Sequence, residues 1–148
     1  MTNSALNILL AEDNEDDATL FSMALEKTNI PAKLQIASDG EEAIAYLKGE
    51  GKYADRAAHP FPDFLLLDLN MPRKNGFEVL QWIRSDDSYK YLMIHVLSAS
   101  GREEDVRRVY DLHANSYVIK PSRMNDLGAF IHALATSHKF VCLARSLK

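Results

Sequence analysis

Phe64-Leu65-Leu66-Leu67-Asp68-Leu69-Asn70-Met71-Pro72 is the stretch on which the fold turns. Four apolar residues in succession, closed by an acid and then by a proline, have the length and flanks of a strand buried on both faces. A strand with one wet face would alternate apolar and polar side chains instead. This run is the most apolar of its kind in the chain, so its strand is expected at the centre of a sheet.

Similar runs stand at 8–11, 34–37, 93–97 and 117–119, each followed by a stretch with helical spacing. After the first, Leu20, Ala24 and Leu25 follow Asp16 and Asp17, with Phe21 beside them. The helix after the second run ends near Lys48. After the third, Phe77, Leu80, Ile83 and Arg84 run on from Gly76, with Trp82 alongside. After the fourth, Val106, Val109 and Tyr110 share a face from which Arg107, Arg108 and Asp111 point away; after the fifth, Leu127, Ile131, Leu134 and Ala135 line one side. Five strand–helix alternations predict an α/β fold, a doubly wound parallel sheet covered on both faces.

Composition bounds the rest. The chain has 148 residues, 47% hydrophobic and 26% charged, the balance of one soluble globular domain. A net charge of −4 argues against a dominant nucleic-acid surface. Cys142 stands alone, which excludes an internal disulfide and a multi-cysteine metal site. The sequence has neither a membrane-spanning run nor a basic signal-peptide start, so a cytoplasmic protein is expected. One domain over 1–148 is predicted, with its core at about 7–138, an extended loop at about 49–63 and a short tail at about 139–148. His59, His95, His113, His132 and His138 show no mutual ligand spacing.

In a parallel α/β sheet, ligands gather beyond the carboxyl ends of the strands. Glu12 and Asp13 close the first run, Asp68 the third, Ser98 the fourth, and Lys120–Pro121 the fifth. Each has an ordinary structural explanation: Glu12 and Asp13 as helix-capping acids, Ser98 as turn chemistry, Lys120 as a surface lysine before a helix. Together they place three carboxylates, a hydroxyl and an ammonium on one edge. Crowded carboxylates need a cation, and oxygen donors without His or Cys favour Mg²⁺. Metal and ammonium are the clamps a phosphoryl group requires, and Asp68 is the natural nucleophile.

These residues resemble the receiver domain of two-component response regulators. The matching pieces are Leu9-Leu10-Ala11-Glu12-Asp13-Asn14, Leu67-Asp68-Leu69-Asn70-Met71-Pro72 with Gly76, Val96-Leu97-Ser98-Ala99, and Tyr117-Val118-Ile119-Lys120-Pro121. Asp68 precedes Ser98 by 30 positions, and Ser98 precedes Lys120 by 22. The resemblance implies a flavodoxin-like, CheY-like fold: a five-stranded parallel sheet in the order 2-1-3-4-5 with five helices. It implies Asp68 as phosphoacceptor, and Glu12, Asp13, Asp68 and the Asn70 carbonyl as Mg²⁺ ligands. Lys120 pairs with the phosphoryl group, Ser98 and Tyr117 act as switch residues, and the Asn70 and Ser100 side chains tune phosphate lifetime. A cis Lys120–Pro121 bond is expected. Glu12 stands where Asp is commoner in the family, a longer arm that reaches the metal through water.

The 49–63 loop and Met71-Pro72-Arg73-Lys74-Asn75-Gly76 resemble the stand-alone regulators associated with bacterial and cyanobacterial phytochromes. A histidine kinase of phytochrome type, or a phosphotransfer protein, is therefore the expected donor, in a light-signalling pathway. No effector domain is expected, and no enzyme activity beyond slow self-dephosphorylation. Output runs through protein contacts, with a homodimer through the face of the fourth helix, fifth strand and fifth helix. Phe130, Phe140, Val141 and Leu143 lie outside the core stripe and suit a contact surface or a docked tail. The basic residues of the last segment make a solvated face rather than a DNA-binding one. Two other readings stand beside this one. A haloacid-dehalogenase-like Mg²⁺-dependent phosphatase would want an acid where Asn70 stands, and a cap. A phosphorylation-independent adaptor would not need every one of these side chains.

Overall fold

The computed structural model describes residues 5–138 and residue 140. The order is β1 (Leu6–Ala11), α1 (Glu15–Lys27), β2 (Ala32–Ala37), α2 (Gly40–Lys48), β3 (Phe64–Asp68), α3 (Gly76–Ser85), β4 (Met93–Ser98), α4 (Glu103–Asp111), β5 (Ser116–Ile119) and α5 (Met124–Ser137), with a short 3₁₀ turn at Gly51–Tyr53. The strands form one parallel sheet in the order β2-β1-β3-β4-β5. The expected architecture is present, and β3 is the central strand with every residue buried.

Alternation along the strands divides the core in two. Leu9, Leu65, Leu67, Ile94 and Val96 pack with Val79, Leu80 and Ile83 of α3. Ile8, Leu10, Phe64, Leu66 and Leu97 pack on the other side with Phe21, Leu127 and Ile131 of α1 and α5. Each fully buried leucine contributes about 1.5–3 kcal/mol relative to exposure, so β1 and β3 form a stiff platform for whatever their carboxyl ends carry.

The helices follow the expected stripes with three differences. Val79 is buried in α3 while Phe77, counted in the stripe, is half-buried and lies under the Arg108 guanidinium at 4.0 Å. In α4 only Val109 is buried; Tyr110 is 47% exposed, because its hydroxyl is drawn to the edge of β5 rather than its ring into the core. Phe130 packs against the α1–α5 side of the core instead of standing apart from it. Phe140 is 84% exposed, while Val141, Cys142 and Leu143 lie outside the described residues.

The 49–63 loop is long but tightly held. The Arg56 guanidinium donates to the carbonyls of Tyr46, Leu47 and His59 at 2.8, 2.7 and 3.1 Å. The Tyr46 hydroxyl donates to the Pro60 carbonyl at 2.8 Å, and buried Tyr53 donates to the Glu42 carboxylate. No described helix is long and apolar enough to cross a membrane.

Candidate functional site

The strands end where the sequence placed them, and the side chains that follow converge. The α1 cap falls to Asn14, whose side chain accepts the Asp17 N–H at 2.9 Å, so Glu12 and Asp13 are not spent on capping. Glu12 turns inward and is 3% exposed; Asp68 is likewise buried and Asp13 exposed. Carboxylate oxygens of Glu12, Asp13 and Asp68 lie within 4.8 Å of one another.

That grouping is short of positive charge. Burial pushes the Glu12 carboxyl up to about 7, and the neighbouring Asp68 adds to the rise against the opposing pull of Lys120. Three hard oxygen donors with a residual negative charge fit a divalent cation such as Mg²⁺ or Mn²⁺.

Lys120 Nζ lies 2.5 Å from Glu12 Oε1, 3.1 Å from Asp17 Oδ2 and 3.6 Å from Asp68 Oδ2. Burial alone would lower its pKa; the carboxylates of Glu12, Asp68 and Asp17 overrule burial and hold it above the ordinary lysine range. The Lys120 N–H donates to the Ser98 carbonyl at 2.8 Å, which sets the height of the lysine against β4. The expected cis Lys120–Pro121 bond is corrected: no described peptide bond is cis. The trans form is intrinsically favoured by about 0.5–1 kcal/mol, and the backbone bond to Ser98 together with the side-chain ion pairs already places the ammonium.

The loop after β3 is shaped by close approach. The Gly76 N–H donates to the Leu69 carbonyl at 2.9 Å, and a Cβ at Gly76 would sit 2.5 Å from the Asp68 carbonyl oxygen. Arg73, at φ 65°, donates from Nε to Asp39 Oδ2 at 3.1 Å, fastening this loop to the N-cap of α2. Asn70 is exposed, with its N–H 3.4 Å from Asp68 Oδ1, a weak contact.

On the other side, Ser98 is buried and its Oγ accepts the Ser100 N–H at 3.2 Å. Ser100 and Tyr117 are half-buried, and the Tyr117 hydroxyl donates to the Ser100 carbonyl. The loop after β4 thus carries both Ser98 and the partner of Tyr117. The Tyr117 N–H, on the outer edge of β5, donates to the Tyr110 hydroxyl at 3.1 Å. Two contacts at this site escaped the sequence: Tyr110 to β5 and Asp17 to Lys120. Asp17 was detectable in principle, because an Asn14 cap fixes it in the first turn of α1 beside the end of β1.

Comparison with known proteins agrees with the geometry. The family model described as the response regulator receiver domain matches residues 8–132. The chain is 37% identical over 127 residues to the response regulator Rcp1 of Synechocystis sp., covering 86% of this chain and 84% of that protein. It superposes on the phosphorylated cyanobacterial phytochrome response regulator RcpA with a TM-score of 0.85 and 37% identity, over 95% of this chain and 99% of that one. The Mn²⁺-bound form of Rcp1 gives a TM-score of 0.80 and 35% identity, over 93% and 98%.

Proposed function

The chain belongs to the response regulator receiver family, homologous to the phytochrome-associated regulators, and from that premise we propose that Asp68 accepts a phosphoryl group from a phosphohistidine partner. Receiver domains bind divalent metal and work with histidine kinases or phosphotransfer proteins. The observation that carries the assignment is the meeting of the Asp68, Glu12 and Asp13 carboxylates with the Lys120 ammonium at the carboxyl ends of β1, β3 and β5.

The roles follow from charge and position. An Asp68 carboxylate oxygen attacks phosphorus, a P–O bond forms, and the P–N bond of the donor imidazole breaks with its electron pair returning to the ring. Asp13, Asp68, the Asn70 carbonyl and, through water, Glu12 would hold Mg²⁺, which would supply positive charge against the phosphoryl oxygens. Lys120 offsets the remaining charge. The Ser98 hydroxyl turns from the Ser100 N–H toward the phosphoryl group, and Tyr117 follows the same loop. Asn70 and Ser100 flank the path of hydrolytic water and set how slowly the acyl phosphate is lost.

The protein acts as a single receiver, core about 7–138, in a phytochrome-type light-signalling pathway. It reports phosphorylation through protein contacts on the α4–β5–α5 face, with a second copy of itself as partner. The test is labelling. Wild type takes up label from a phosphorylated kinase or acetyl phosphate with Mg²⁺ and shifts to a dimer in sedimentation. Asp68→Asn does neither; stable labelling of Asp68→Asn would sink the assignment.

A further inference from the structure

Lys120 is shared among more partners than phosphoryl transfer needs. An ammonium has three N–H donors. Here Glu12 Oε1 lies at 2.5 Å and Asp17 Oδ2 at 3.1 Å, while Asp68 Oδ2 stands at 3.6 Å, beyond good hydrogen-bond range. Glu12 and Asp68 also belong to the carboxylate group suited to a cation; Asp17 does not. Its place is fixed from α1, where Asn14 caps onto the Asp17 N–H, so its carboxylate reaches Lys120 from a helix that places no other charged group on that ammonium.

We propose that Asp17 is a positioning residue that holds the Lys120 ammonium off Asp68 in the unphosphorylated protein, so that phosphorylation exchanges the Asp17 carboxylate for a phosphoryl oxygen on Lys120. The proposal rests on the reading of Asp68 and Lys120 given above. It makes Asp17 a brake: every phosphorylation has to break one ion pair that the product does not keep. The Asp17 side chain is 47% exposed, so water competes for the pair and the brake is modest.

The experiment compares Asp17→Asn with Asp16→Asn, which removes the same charge from the same helical turn at an exposed side chain not paired with Lys120. With acetyl phosphate and saturating Mg²⁺, Asp17→Asn labels about two- to five-fold faster than wild type, and beryllofluoride half-saturates at a correspondingly lower concentration. Asp16→Asn stays at the wild-type values. In the metal-free protein, the ¹⁵N–¹H signal of the Lys120 ammonium exchanges faster with water in Asp17→Asn alone, and Asp17→Ala behaves like Asp17→Asn. Acetyl phosphate has no docking surface, so contact between α1 and a kinase plays no part. Equal acceleration by both Asn variants, or an unchanged Lys120 signal in Asp17→Asn, overturns the proposal and leaves Asp68 as acceptor. Failure of the wild type to label overturns both.

Discussion

The 49–63 loop and helix α4 invert the usual relation between regular structure and anchorage. The loop has only a 3₁₀ turn, yet three carbonyls converge on Arg56, and the rings of Tyr46 and Tyr53 lie 4.9 Å apart with His59 5.2 Å from Tyr53. Helix α4 has a complete backbone ladder, yet buries only Val109 and has no side-chain cap at its start. What ties it down is peripheral: Tyr110 to the edge of β5 and Arg108 over Phe77, while the exposed Arg107–Glu103 pair at 2.7 Å lies within the helix itself. A helix satisfies its own hydrogen bonds wherever it sits, whereas an irregular segment stays ordered only where it finds outside partners, here the Tyr46 and Leu47 carbonyls of α2 for Arg56 and the Tyr46 hydroxyl for the Pro60 carbonyl. Helix α4 can therefore shift at little cost, and the loop cannot. That suits the proposed switch role of Tyr117, whose N–H is bonded to Tyr110 of α4.

The largest expected effect tests the loop. Arg56→Ala takes the guanidinium from the Leu47 and His59 carbonyls, while the Tyr46 carbonyl keeps the Gly49 N–H, and is expected to cost about 2–3 kcal/mol in urea unfolding, above a typical surface substitution. A loss under about 1 kcal/mol would show that the loop is not pinned as described.

Acid separates the loop from the sheet. His95 is 9% exposed, its Nδ1 is bonded to Ser116 Oγ at 2.7 Å, and burial, with nearby His138, lowers its pKa to about 4. The unfolded chain takes up a proton near 6.5 that the folded state refuses until about 4, so stability falls as pH drops through that window, by roughly 3 kcal/mol in all. The loop answers to Glu42. Although burial pushes that carboxyl up, hydrogen bonds from Tyr53 and Ser38 outweigh it and hold it below the ordinary range. Its contribution is present above the unfolded value of 4.5 and is lost only as pH falls below it. Urea midpoints between pH 7.5 and 5 should fall in wild type and flatten in His95→Gln, while hydrogen exchange around Tyr53 stays unchanged over the same range.

Helix α4 gives the smaller effects. Val109→Ala is expected to cost about 1–2 kcal/mol and to raise exchange along the whole helix, since it removes most of the only buried side chain there. Tyr110→Phe should cost under about 1 kcal/mol, yet speed exchange of the Tyr117 amide, which loses its acceptor. Unchanged Tyr117 exchange would mean that α4 is not tied to β5 through this phenol.

Much of this was visible in the chain's order of residues, and the reason is local. Phe64 to Leu67 form a run that is buried in any compact fold, and a buried parallel strand points its last residue at the ligand edge, so the place of Asp68 was legible from the sequence. Glu12, Ser98 and Lys120 were found the same way. Phe77 was counted in the α3 stripe in place of Val79 because both are apolar and only packing ranks them. Tyr110 looked like a core residue because periodicity registers its ring and ignores its hydroxyl. His95 looked incidental because burial, not spacing, gives it its character.

Strand, helix, central carboxylate and pocket edge follow from hydrophobic runs and from the chain direction of a parallel sheet, both carried by neighbouring residues. The sharing of Lys120 between Asp17 and Asp68 joins groups far apart in sequence, and the grip of Arg56 on three carbonyls and the hold of Tyr110 on β5, though close in sequence, follow no hydrophobic period. Their energies depend on distance and burial, which exist only once the sheet has closed. The buried run that ends at Asp68 thus belongs to a sheet with a well-anchored loop on one side, a lightly held helix on the other and a lysine between competing carboxylates at its edge.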